Sequence, residues 1–296
     1  MSYVRTALLL AALTGIFLVV GDLVAGRQGM VIAFLFACAM NLFAYWNSDK
    51  MVLSMYGARE VDEQSAPQLF ALVRDLTRRG GLPMPRVFMI ESDQPNAFAT
   101  GRDPQHAAVA VNTGLLRLLS PEEVAGVLGH ELSHVRNRDS LTMTMTAVIA
   151  GAIGMLANFA FFFGGARSDR RDNPLGPIAG LVVLLVAPLA ATMVQLAISR
   201  TREFAADRSG AELCGHPLWL ASALGKLEQG ARQIPNLQAE GHPATAHIFI
   251  VNPLRPGVGM AGLFSTHPPI EERIRRLEAM AGEMGEAPAP QRGPWG

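Results

Sequence analysis

Four stretches of the chain are apolar for long enough to cross a bilayer, which takes roughly 20 residues. The first two, "TALLLAALTGIFLVVGDLVA" (about 6–25) and "GMVIAFLFACAMNLFAYW" (about 29–46), are separated by only a few residues. They predict a helical hairpin whose second arm ends in a Tyr-Trp pair suited to a membrane interface. No small-residue cleavage site separates the two runs, so the first is read as a retained helix, with Asp22 near its far end, rather than as a signal peptide. The third run spans about 141–164 and the fourth, "PIAGLVVLLVAPLAATMVQLAIS", about 177–199, where Pro188 is expected to kink the helix.

The remaining segments change period. Residues 66–79, "APQLFALVRDLTRR", repeat apolar positions at helical spacing and stop at Gly80-Gly81. "PRVFMIES" (85–92) reads as a strand, and "NAFATG" (96–101) with "AAVAVNTG" (107–114) as a hairpin around "RDPQH". In "SPEEVAGVLGHELSHVRNRD", Ser120 is placed as an N-cap, Pro121 at the first helical position and Glu123 to close a capping box. Further helices are expected near 217–232 and 268–281, followed from about 282 by a Pro/Gly-rich, disordered tail.

Half of the 296 residues are hydrophobic and the net charge is zero, so charge gives no argument for a nucleic-acid partner. Cys38 lies in an apolar run and Cys214 is remote from it, which excludes a disulfide framework and a thiolate metal site. An even number of spans places both termini, 47–140 and 200–296 on one side. That side carries Arg5, Lys50, Arg59, Arg136, Arg138, Arg200 and Arg202, against Arg27, Arg167, Arg170 and Arg171 on the other. The positive-inside rule makes it the cytoplasmic side.

The chemistry concentrates at the edge of the third apolar run. His130-Glu131-Leu132-Ser133-His134 is an H-E-x-x-H sequence about two turns into the capped helix. Positions i and i+4 share a face, so two imidazoles there can meet one zinc ion. Glu131 flanks that face, placed to hold and deprotonate a water rather than to bind metal. Two histidines leave zinc short of a third protein ligand. Glu203 and Asp207, also at i, i+4, follow the fourth apolar run: Glu203 can ligate, and Asp207 can orient an imidazole. Spacing alone also allows two solvated acids at the start of a charged helix. His106, His216, His242 and His247 lie in loop-like contexts and read as surface residues. If the zinc helix continues unbroken, His134 lies about 10 Å from the third apolar run, which puts the site at the membrane surface.

"LGHELSHVRNRDSL", "SRTREFAADRSGAEL", "NAFATG" and "STHPPIEERIRRL" resemble the HtpX family of membrane-embedded zinc metalloproteases, heat-shock proteases grouped with the Ste24-type CaaX proteases. The resemblance covers nearly the whole chain, apart from residues 231–264 and the tail, which carry no recognised motif. It implies an α+β, mostly helical membrane protein. Its parts would be a transmembrane hairpin (1–46), a first catalytic half with the zinc helix (47–140), helices three and four (141–199), a second catalytic half (200–281) and the tail (282–296). These halves make one split zincin-like metallopeptidase domain with a small β-sheet. It implies one Zn²⁺ per chain on His130, His134 and Glu203, Glu131 as the catalytic base, and Asp207 beside a ligand. It also implies that Asn96, Ala97 and Phe98 form an edge strand that pairs with substrate backbone, and that His267 approaches the metal to stabilise an oxyanion or fill the open position. Arg273 would face the cleft. The function implied is cleavage of misfolded or damaged membrane proteins at the cytoplasmic face of a bacterial inner membrane, in quality control and the stress response. Membrane proteases or chaperones would be partners beside the bilayer and the polypeptide substrates. A selective CaaX-type processing peptidase and a zinc-bound, non-enzymatic membrane scaffold are the competing readings.

Overall fold

The structure, a computed structural model, describes residues 2–148, 200–254 and 267–286. The chain opens with α1 (Ser2–Met55), which leaves helical geometry at Ala25 and Gly26 and folds back on itself. Gly26 has φ +58°, the left-handed conformation that only glycine adopts at no steric cost. The two arms pack closely. Asn41 Nδ2 donates to Thr14 Oγ1 at 2.9 Å, Phe17 meets Phe36 edge to face, and a Cβ on Gly21 would lie 2.5 Å from the Gly29 carbonyl oxygen. The predicted hairpin is therefore present.

Among the described residues, the segment Ala25–Met55 is the one helix long and apolar enough to cross a membrane; Thr6–Val19 is a shorter apolar helix. The third apolar run is described only to residue 148, and the fourth lies outside the described residues.

A four-stranded mixed sheet follows. β1 (Arg59–Val61), β2 (Arg86–Ile90), β3 (Ala97–Gly101) and β4 (Ala107–Asn112) lie in the order β1-β2-β4-β3. β2 and β4 are parallel, and β3 pairs antiparallel with β4 as an edge strand. The parallel pair needs a crossover, which β3 and the loop before it supply. Helix α2 (Pro67–Gly80) ends, as its sequence predicts, with Gly81 in the left-handed conformation.

Helix α3 (Thr113–Leu118) leads to α4 (Pro121–Arg136), whose capping box is complete: Ser120 Oγ accepts from Glu123 N–H while the Glu123 carboxylate accepts from Ser120 N–H. Glu123 also accepts from Lys226 at 2.8 Å and Ser222 at 2.6 Å, which ties the start of α4 to the helix Pro217–Gln233. A further helix, α5, begins at Asp139 and is described to residue 148. It does not continue α4. Arg138 stands between them at φ +59°, which corrects the expectation of an unbroken helix.

After α6 (Arg200–Cys214) come α7 (Pro217–Gln233), α8 (Leu237–Gly241), a 3₁₀ turn (Pro243–Ile248) and α9 (Ile270–Glu283). The segment assigned to a disordered tail begins inside α9, and Glu286 beyond it accepts from Leu218 N–H; the remainder lies outside the described residues. Tyr56, Phe98 and Phe249 form a buried aromatic cluster, with ring centroids 5.0–5.8 Å apart. It joins the end of α1, the edge strand and the segment after the 3₁₀ turn. His247 is fully buried, with Nε2 3.0 Å from the Met143 carbonyl oxygen, so it is not the surface residue its loop context suggested.

Candidate metal centre

The site is built where α4 crosses α6. The helices touch backbone to backbone: a Cβ on Gly129 would stand 2.7 Å from the Gly210 oxygen, and one on Gly210 would stand 2.5 Å from His130 N. Glycine at both positions allows an approach that larger residues forbid. That approach brings Glu203 of α6 to the two histidines of α4.

His130 Nε2 and His134 Nε2 face each other at 3.2 Å. Glu203 Oε1 lies 3.6 Å from His134 Nε2, and Glu203 Oε2 lies 3.8 Å from His130 Nε2. A tetrahedral ion with bonds near 2.05 Å holds neighbouring ligand atoms about 3.3 Å apart. The three donors therefore fit a small divalent cation. All three residues are buried, and Glu203 Oε2 has no hydrogen-bond partner. An orphaned buried carboxylate oxygen aimed at two imidazoles is what a metal ligand set looks like without its ion.

The surroundings orient these donors. Asp207, one turn beyond Glu203, lies 2.9 Å from His130 Nδ1. A donor bond there turns the opposite nitrogen inward as a lone pair. Burial pushes His130 down to about 4, against the opposing pull of Asp207, so the ring is neutral at pH 7. Arg273, wholly buried, donates to both Asp207 oxygens and to the Ile250 carbonyl at 2.8 Å. It acts behind Asp207 rather than facing an open cleft.

For His134, burial opposes the charge, but Asp139, Glu203 and Glu131 outweigh it and hold the ring up at about 9. Asp139 Oδ2 stands 3.8 Å from His134 Nδ1, longer than a hydrogen bond. Asp139 carries no signal of its own in the sequence, because its place depends on the break between α4 and α5.

Glu131 is buried beside the donors, and its Oε2 accepts from the Ala99 N–H on β3 at 2.8 Å. Burial first, and then the nearby Glu203 charge, raise its carboxyl to about 8. His267 Nδ1 lies 3.4 Å from Glu203 Oε2, and both its ring nitrogens are buried without a hydrogen-bond partner. On β3, Asn96 O and Phe98 face the ladder with β4, while Ala97 and Ala99 face outward. The outward edge is partly engaged, since Ala97 O accepts from Ile250 N–H at 3.3 Å and Ala99 N–H serves Glu131. Asn96 Nδ2 donates to Val251 O. His130, Glu131, His134, Glu203, Asp207, Arg273 and His267 thus come together, whereas Asn96 bonds to Val251 and Phe98 packs with Tyr56 and Phe249.

A helix-borne H-E-x-x-H, a third ligand, the Glu203 carboxylate, from a second helix and a sheet edge alongside define a metallopeptidase. The model of Peptidase family M48 matches residues 63–281, and the chain belongs to that family. The crystal structure of S. mikatae Ste24p is similar over 93% of this chain at 19% identity, with a TM-score of 0.51. The match covers 65% of that chain, so this chain spans a little under two-thirds of its length. The likeness is one of fold. Together these findings bear out the resemblance carried by "LGHELSHVRNRDSL" and "SRTREFAADRSGAEL" at the level of the M48 metallopeptidase family, with a fold like that of Ste24p.

Proposed function

We propose that this chain is a zinc-dependent endopeptidase, held in a membrane by four helices, that cleaves misfolded or damaged membrane proteins at the cytoplasmic face. The observation that carries the peptidase reading is the convergence of His130, His134 and Glu203 with Glu131 held between them and the edge strand. Membrane placement is supported by α1, whose large apolar residues Val31, Ile32, Phe34, Leu35, Phe36, Leu42 and Phe43 are exposed. Such a face is expected to be covered by lipid.

His130, His134 and Glu203 would hold the zinc, which when bound supplies a Lewis acid and acidifies a neighbouring water. Glu131 takes the proton of the attacking water and returns it to the leaving amine. Its raised proton affinity suits the return step. Asp207 keeps His130 in the ligating tautomer. His267, whose Nδ1 lies 3.4 Å from Glu203 Oε2 and whose ring nitrogens have no hydrogen-bond partner, steadies the oxygen that gains charge. An extended substrate would pair with the β3 edge at the outward-facing Ala97 once Ile250 releases its oxygen, while Asn96 and Phe98 hold the strand from its β4 side, and such pairing selects accessible chain more than sequence.

The substrate class is tested by offering the purified enzyme several unrelated unfolded membrane proteins beside peptides with one short C-terminal motif. Cleavage of the unrelated proteins is expected. Cleavage of a single C-terminal motif alone would replace the quality-control reading with selective processing.

A further inference from the structure

We propose that Asp139 is the positioning residue for His134, brought there by the break between α4 and α5. This rests on the reading of His130, His134 and Glu203 as a metal centre. In an unbroken helix, five residues turn a side chain about 140° around the axis, so Asp139 would point away from His134. Instead α4 closes at Arg136, Asn137 N–H bonds back to Ser133 O, and Arg138 adopts φ +59°. A left-handed arginine is uncommon and is held only where the surroundings fix it. The result is that the Asp139 carboxylate doubles back to 3.8 Å from His134 Nδ1, a buried nitrogen with no hydrogen-bond partner.

The arrangement repeats what Asp207 does for His130, at a longer distance. His130 is met at 2.9 Å and His134 at 3.8 Å. The other Asp139 oxygen lies 3.6 Å from Arg202 Nε, and Arg202 adjoins Glu203. One carboxylate thus spans both helices that carry the donors. It stands at the first residue of α5, so the metal centre is coupled to the start of the third apolar run. Displacing α5 would move Asp139 against His134.

The test is zinc affinity of the full chain in detergent, by competition with a chromophoric chelator, for wild type, Asp139→Ser, Asp139→Asn and Asp139→Glu. Serine and asparagine keep a short polar side chain in the first turn of α5, so a role confined to starting that helix leaves affinity unchanged. A positioning role predicts affinity about 10–100-fold weaker for Asp139→Ser, a smaller loss for Asp139→Asn and partial rescue by Asp139→Glu. The unfolding midpoint of the metal-free chain should not move, and the visible spectrum of the cobalt-loaded protein should change. Wild-type affinity and an unchanged cobalt spectrum in Asp139→Ser would overturn the proposal. So would an affinity loss matched by an equal loss of metal-free stability. If His134→Ala binds zinc like wild type, the metal-centre reading itself fails, a result distinct from failure at Asp139 alone.

Discussion

Arg273 and Asp207 form a doubly hydrogen-bonded pair in the protein interior, with Nε and Nη2 of the guanidinium at 2.8 and 2.7 Å from the two carboxylate oxygens. The pair links α9 to α6 and, through Asp207, to His130. Removing one member of a buried ion pair strands the other and costs about 3–5 kcal/mol. Arg273→Ala is therefore expected to lower the stability of the metal-free chain by that amount, read by thermal unfolding. Arg273→Lys keeps the charge but loses the two-pronged geometry, and should recover only part of it.

Acid should undo the same pair. Against the cost of burial, Arg273 and His130 hold Asp207 down at about 2, below the ordinary value of 3.8. A depressed carboxylate contributes stability that is complete above its unfolded value and is lost as pH falls through the folded one. The contribution is about 2 kcal/mol, disappearing between about pH 4 and pH 2. His130 acts at higher pH, its part being lost as pH falls from 6.5 toward about 4. Unfolding midpoints from pH 5 to pH 2 should fall steeply in wild type and more gently in Asp207→Asn.

Metal uptake should release protons. His134 is held up at about 9 and must be neutral to ligate. Zinc affinity of the metal-free chain should rise with pH across the neutral range and level off near 9. Calorimetry in buffers of different ionisation enthalpy measures the protons released, and none released at pH 7 would contradict this description of His134.

The hairpin of α1 depends on Gly21 and Gly29. A side chain on either collides with backbone of the opposite arm. Gly21→Leu should separate the arms at a cost of about 1–3 kcal/mol. The check is disulfide formation between cysteines placed at 17 and 36, which should form readily in the parent and poorly in the variant.

What was legible in the sequence was local. The Ser120–Glu123 capping box, the stop at Gly80-Gly81 and the hairpin of β3 and β4 each depend on residues a few positions apart. The i, i+4 spacings of His130 with His134 and of Glu203 with Asp207 fixed shared faces once helices were assumed. What was not legible needed the chain to turn unexpectedly or to meet itself at long range. β1 is three residues long and carries no alternation. Asp139 becomes a neighbour of His134 only because Arg138 goes left-handed, for which arginine gives no signal. His247 is buried, with its ring against the Met143 carbonyl of α5, a long-range contact its own irregular segment does not announce. Arg273 reaches Asp207 across 66 residues, a pairing that charge alone could not single out.

The role of Glu131 as the base of a metal-dependent peptide cleavage is tested by measuring bound zinc and cleavage of an unfolded membrane protein, in detergent, for wild type and Glu131→Gln. One zinc in each and cleavage by wild type alone are expected, with a loss in the variant of at least about 10²-fold. Equal cleavage by both proteins, or no zinc in either, would contradict it.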